Sequence, residues 1–163
     1  MSARALRIVA IAVVFKIANL VPIDSLRASL YRLTGVDLGD DVFVGEDVLF
    51  DKLNPRGIHI GDRTAIGART IITAHQVIPT GTDLRTLYPT KHMETVVEHD
   101  VWIMPGVIIV PGVTVGHHSV LATGAVIHKD VPPYSLVVGG GFRVAKQLDP
   151  ASFEIVRDRA RTS

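Results

Sequence analysis

The chain contains no cysteine. Disulfides, thiolate nucleophiles and zinc–thiolate sites are therefore excluded, and a reactive group must be an imidazole, a carboxylate, an amine or a hydroxyl. Seven histidines are present. Imidazole titrates near neutrality in its ordinary state, which suits it to take a proton from a weak nucleophile such as a hydroxyl. His59, His99, His117 and His118 fall on outward or corner positions of a six-residue pattern and read as solvated side chains. His92 lies inside a long polar interruption, where it can line a substrate pocket. His75 stands where the pattern is abandoned for that interruption, and a repetitive scaffold carries function on its loops more often than on its rungs.

The pattern is what must hold these groups in place. Between Val97 and Val131 an aliphatic residue returns every sixth position, at Val97, Ile103, Ile109, Val115, Leu121 and Ile127. Four places after each comes a second small or branched residue: Val101, Val107, Val113, Ser119, Ala125 and Val131. No helix has that period, whereas short strands stacked at about 4.8 Å around a parallel β-helix do. The same phase runs through Ile60, Ile66 and Ile72, with Thr64 and Thr70, and through Leu38, Val44 and Phe50, with Val42 and Val48. Two stretches break it, Lys52 to His59 and Gln76 to Thr95, and both must leave the coil as loops.

With 163 residues, 47% of them hydrophobic, the chain supports one domain with a real core. Seventeen basic against sixteen acidic residues give a net charge of +1, too balanced for a nucleic-acid binder that works by phosphate neutralisation. Residues 1–35 read as a helical capping segment, 36–138 as the β-helix with a loop extruded at 76–95, and 139–163 as a tail. Ala5 to Ile23 is the most apolar stretch, but its uninterrupted run from Ile8 to Phe15 is too short to span a bilayer. Such a helix either packs on the protein or lies in a membrane interface, and Arg4, Arg7 and Lys16 suit both. A second helix, capped by Asp24 or Ser25, is expected to turn Leu26, Leu30 and Leu33 inward and Arg27 and Arg32 outward. Pro132 and Pro133 are expected to stop the strands, Gly139 to Gly141 to make a flexible link, and Pro150 to Arg161 to form a short terminal helix.

The stretch VWIMPGVIIVPGVTVGHHSVLATGAVIHKDVPPYSLVVGG resembles the hexapeptide-repeat acyltransferases, in the branch of sugar and polysaccharide O-acetyltransferases related to galactoside and maltose acetyltransferases. The likeness extends over about Gly35 to Lys146. It rests on Pro111 to Val113, on IHKDVPP from Ile127 to Pro133, on Val101–Trp102 and on ITAHQ from Ile72 to Gln76. It implies an all-β fold, a left-handed parallel β-helix, working as a homotrimer. It implies transfer of an acetyl group from acetyl-CoA to a hydroxyl of a sugar or glycan by direct attack, with His75 as general base and no metal. Acetyl-CoA contacts fall on Trp102, Pro105, Thr123, His128, Lys129, Arg143 and Lys146, and acceptor contacts on Asp51, Asn54 and His92. Lys129, Arg143 and Lys146 are apt for nucleotide phosphates. The pattern departs from the family before Arg143, where Gly139-Gly140-Gly141-Phe142 replaces the usual Gly-x-Pro-Ala. A cytoplasmic protein, or one held at the inner face of a membrane by its N-terminal segment, fits this reading.

Two other functions use such a scaffold. A γ-type carbonic anhydrase brings three imidazoles to one zinc and includes a histidine pair separated by four residues, a spacing no pair here has. A non-catalytic assembly subunit would need neither His75 nor Trp102, and both are present. Ile108, Val110 and Val120 occupy outward hexad positions, so self-association is expected to cover them.

Overall fold

The computed structural model describes residues 3–78, 85, 88–140 and 143–151. Its hexads form short strands on three faces. The first coil contains β1 (Asp37–Leu38), β2 (Phe43–Val44) and β3 (Leu49–Phe50), and the second contains β4 (Ile58–Ile60), β5 (Ala65–Ile66) and β6 (Ile71–Ile72). An outward ribbon follows, β7 (His75–Gln76) and β8 (Lys91–His92). The third coil is β9 (Thr95–Val97), β10 (Trp102–Ile103) and β11 (Ile108–Ile109), and the fourth is β12 (Thr114–Val115), β13 (Val120–Leu121) and β14 (Val126–Ile127). The chain ends with β15 (Ser135–Val138) and β16 (Arg143–Gln147).

The first face stacks β1-β4-β9-β12, the second β2-β5-β10-β13-β15 with β16 at its edge, and the third β3-β6-β11-β14. Every pairing between coils is parallel. Ile103 aligns with Leu121 and Ile109 with Ile127, eighteen residues or three hexads further on. All the aliphatic rungs of the pattern are buried. Each regular corner is turned by the third residue after a rung, which takes the left-handed conformation: Asp41, Asp47, Arg63, Arg69, Asp100, Gly106, Gly112, His118, Gly124 and Tyr134. His75 holds the same place after Ile72 but starts a strand, because there the chain leaves the coil.

Helix α1 (Ala3–Leu20) lies on α2 (Asp24–Thr34), and Phe15, Tyr31 and Phe50 join both helices to the first coil through edge-to-face contacts of 5.3 and 4.9 Å. The inner face of α2 differs from expectation. Leu30 packs against the core and Arg32 is exposed, as expected, but Arg27, Ala28, Tyr31 and Thr34 are buried, while Leu26 and Leu33 are 48% and 76% exposed. The first coil has no preceding coil to bond its carbonyls, so it needs donors there rather than leucines. Arg27 donates to Val44 O at 2.5 Å, the Tyr31 hydroxyl to Val48 O at 3.0 Å, and Arg32 to Leu38 O and Gly39 O. Burial pushes the Tyr31 phenol up to about 12. Ile23, not Asp24 or Ser25, is the N-cap, with no side-chain cap bond.

The prolines do not end the strands either. Val131 bridges to Val115 and Val137 aligns with Leu121, so the coil continues two residues short of the regular repeat. The backbone at Pro133 stacks on Gly116, where an added Cβ would lie 2.4 Å from the Pro133 nitrogen, the same close approach that Gly45 makes to Ala68 and Gly61 to His99 in the regular coils. The first interruption returns to its face at Ile58, after a single 3₁₀ turn at Pro55–Gly57. The expected terminal helix lies outside the described residues beyond Ala151.

Candidate active site

The inserted turn after β3 lies one coil below the root of the β7–β8 ribbon, at the same corner, because β3 pairs directly with β6. Asp51 is 3% exposed and fully engaged. Its Oδ1 accepts from the backbone N–H groups of Leu53 and Asn54 at 2.9 and 3.2 Å, and its Oδ2 from Ala74 N–H at 2.9 Å and from the His75 ring at Nδ1. This departs from the expected acceptor-facing role: the carboxylate serves the imidazole and the backbone beneath it. Burial acts to raise the Asp51 carboxyl, but the bonds from His75, Ala74, Leu53 and Asn54 outweigh it and hold the group below its usual 3.8.

An ionised carboxylate can only accept, so the Nδ1 it touches carries the proton. In the neutral ring this fixes the tautomer, with the lone pair on Nε2. No bond to Nε2 is formed among the described residues, and the side chain is 16% exposed. A base fixed by a carboxylate on one nitrogen and open on the other is the arrangement that general-base catalysis requires.

The Asn54 side chain bonds backbone at the same corner. Its amide donates to Ala74 O at 2.8 Å and to Met93 O at 3.4 Å, tying the two roots of the ribbon together. Gly57 leaves room for that amide, since a Cβ there would lie 2.4 Å from it. Thr95 completes the root, donating to Thr73 O at 2.7 Å and accepting from Gly112 N–H at 3.1 Å. His92 pairs with His75 across the ribbon, with ring centroids 6.4 Å apart, and is exposed.

Two of the residues assigned to acetyl-CoA share the His75 corner within one chain, and the other five do not. His128 and Lys129 follow β14 and share the His75 corner, between the third and first faces. Pro105 and Thr123 line a groove at the corner between the second and third faces. Trp102, 53% exposed, stands on the second face in register with Val120, Leu136 and Lys146, with Arg143 on the same edge strand. Lys129, Arg143 and Lys146 are exposed and have no ion-pair partner among the described residues.

A second histidine cluster was not legible in the sequence. His118 is buried rather than solvated, its ring 5.1 Å from that of Tyr134, while His117 stacks on His99 at 5.0 Å. Asp100 lies at its centre, taking bonds of 2.8 and 2.7 Å from Arg63 and 2.7 Å from His99, which hold its carboxyl well below the usual range. Ligand atoms of His99, Asp100 and His118 lie within 4.8 Å of one another. The Arg63 guanidinium occupies both carboxylate oxygens, however, and puts a fixed positive charge where a cation would sit. The donor set fits a carboxylate that locks a corner, not a metal centre.

The family model for the bacterial transferase hexapeptide, six repeats long, matches residues 94–129. Galactoside O-acetyltransferase of Lactococcus lactis is 31% identical over 124 residues, covering 76% of this chain and 51% of the relative. The chain thus spans about half the length of that relative. YvoF of Bacillus subtilis is 28% identical over 140 residues, 85% of this chain and 77% of the relative. Among solved structures, the hexapeptide-repeat acetyltransferase VCA0836 of Vibrio cholerae, complexed with acetyl-CoA, superposes with a TM-score of 0.68 at 26% identity, over 91% of both chains.

Proposed function

From a chain that carries the six-repeat array of the bacterial transferase hexapeptide family, we propose an acyl-CoA-dependent O-acetyltransferase acting on a hydroxyl of a sugar or glycan. The observation that carries this reading is the Asp51–His75 pair at the root of an outward ribbon. Asp51 holds the ring through Nδ1–H. Nε2 takes the proton of the acceptor hydroxyl as its oxygen attacks the thioester carbonyl of the donor. A new C–O bond forms, the C–S bond breaks, and the departing thiolate takes the proton back from Nε2, leaving an acetyl ester and free CoA. His75 ends neutral and no covalent enzyme intermediate is needed.

The donor site fits between two copies. Lys129, Arg143 and Lys146 supply charge for the nucleotide phosphates, and Trp102, Pro105, Thr123 and His128 supply surface along the coils. His128 and Lys129 share the His75 corner, but Trp102, Pro105, Thr123, Arg143 and Lys146 lie on another corner and face of the same prism. A cyclic homotrimer of left-handed coils would set the second face of one chain against the ribbon corner of the next. His92 is then placed to touch the acceptor, with Asn54 and Asp51 acting from beneath.

Release of CoA thiol from acetyl-CoA, measured against a panel of free sugars and oligosaccharides, tests the reading. His75→Ala is expected to lower turnover roughly 10²- to 10⁴-fold while keeping the melting temperature and acetyl-CoA affinity. Near-wild-type turnover by the folded variant would refute it.

A further inference from the structure

We propose that α1, with the cationic groove beside it, docks the protein onto the surface of a bilayer bearing anionic lipid headgroups. The helix has two apolar faces. Ile11, Phe15 and Ala18 are buried against the protein. Leu6, Val9, Val13, Ile17 and Leu20, spaced three and four residues apart, form an outer stripe, each 47% to 84% exposed. Spacing of that kind aligns side chains along one face of a helix. Arg7 and Lys16 flank the stripe on opposite sides, and α1 contains no acidic residue.

The surroundings repeat the charge. Two adjoining grooves beside α1 share Arg7 and Arg56, one adding Arg32 and Leu33, the other Lys52 and Leu53; no carboxylate lines either. Arg32 spends donors on Leu38 O and Gly39 O. Arg7, Lys52 and Arg56 have no acidic partner among the described residues. Arg7 links the exposed aliphatic stripe to grooves in which Arg32, Lys52 and Arg56 add positive charge at the side of α1 that carries Ala10 and Val14, a combination that matches an interface whose headgroups are anionic and whose next layer is hydrocarbon. The helix is not long and apolar enough to cross a membrane, so it would lie in the plane. A second copy is the poorer occupant, because stripe-to-stripe contact would bring like charges together at both margins.

The inference stands apart from the acyl-transfer reading and is tested without it. The full chain is sedimented with vesicles of phosphatidylcholine alone and with added phosphatidylglycerol. Binding is expected only to the mixed vesicles, weakening with salt. It should fall at least about tenfold in Val13→Asp/Ile17→Asp and in Arg7→Glu/Arg56→Glu. All four side chains are exposed, so both variants should keep the wild-type melting temperature. If the first does not fold, the charge reversal and the salt dependence decide. No binding to mixed vesicles overturns the proposal. So does binding that survives loss of the stripe and is displaced by inorganic phosphate, which would indicate a free-anion site. Dissociation of the assembly by Val13→Asp/Ile17→Asp, seen by sedimentation equilibrium, would identify a second copy as the occupant and overturn it as well.

Discussion

Asp51 does two jobs, fixing the His75 tautomer and bonding three backbone N–H groups where the inserted turn meets the ribbon. An amide at position 51 keeps the size but no longer commits the proton to Nδ1, so Nε2 loses its lone pair in part of the population. Asp51→Asn is therefore expected to lower turnover roughly 10²- to 10⁴-fold with acetyl-CoA affinity unchanged. The same change carries a pH signature. The folded Asp51 carboxyl titrates below its usual 3.8, so its contribution to stability is present above that value and is lost as pH falls below it. At neutral pH the variant should melt below wild type, and the gap should close as the buffer becomes more acidic than about pH 4. A gap independent of pH would show that the folded protein does not favour the ionised carboxylate. The resemblance around ITAHQ pointed to His75, and the break in the hexads agrees with it. Neither revealed its partner, because Asp51 comes 24 positions earlier and meets the ring only through coil stacking.

At the scale of elements, α2 is a polar cap on the bare carbonyls of the first coil rather than an apolar lid. Tyr31→Phe keeps the ring contacts with Phe15 and Phe50 but leaves Val48 O and Asn19 without the hydroxyl they bond at 3.0 and 2.6 Å. It should cost about 1–3 kcal/mol in urea unfolding, whereas Leu33→Asp, at an exposed site, should cost little. The reverse order would contradict the cap. This also shows why the coil was easier to read than its ends. A hexad rung is specified by apolar character alone, and Ile103, Ile109 and Leu121 fall where the spacing puts them. The inner face of α2 is chosen by hydrogen-bond demand from another element, which leaves no hydrophobic period behind. Pro132 and Pro133 misled for a related reason: a proline that ends a strand in isolation fits a corner where no N–H is needed.

For the whole molecule, the distribution of the candidate residues decides how it works. His75 with Asp51 occupies one corner and Trp102, Arg143 and Lys146 another face, and among the described residues nothing brings the two together within one chain. If copies close around a threefold axis, each site borrows its base from one chain and its donor surface from the next. Subunit mixing tests this most directly. His75→Ala and Trp102→Ala/Arg143→Ala chains, each inactive alone, are unfolded together at equal ratio, refolded, and assayed for thiol release from acetyl-CoA with an acceptor. Random assembly of a cyclic trimer places an intact base opposite an intact donor surface at about one quarter of the interfaces, so the mixture should recover about a quarter of wild-type turnover. Mixed trimers that form, as judged by mass, and remain as inactive as either parent would contradict a site built by His75 of one chain and the second face of its neighbour.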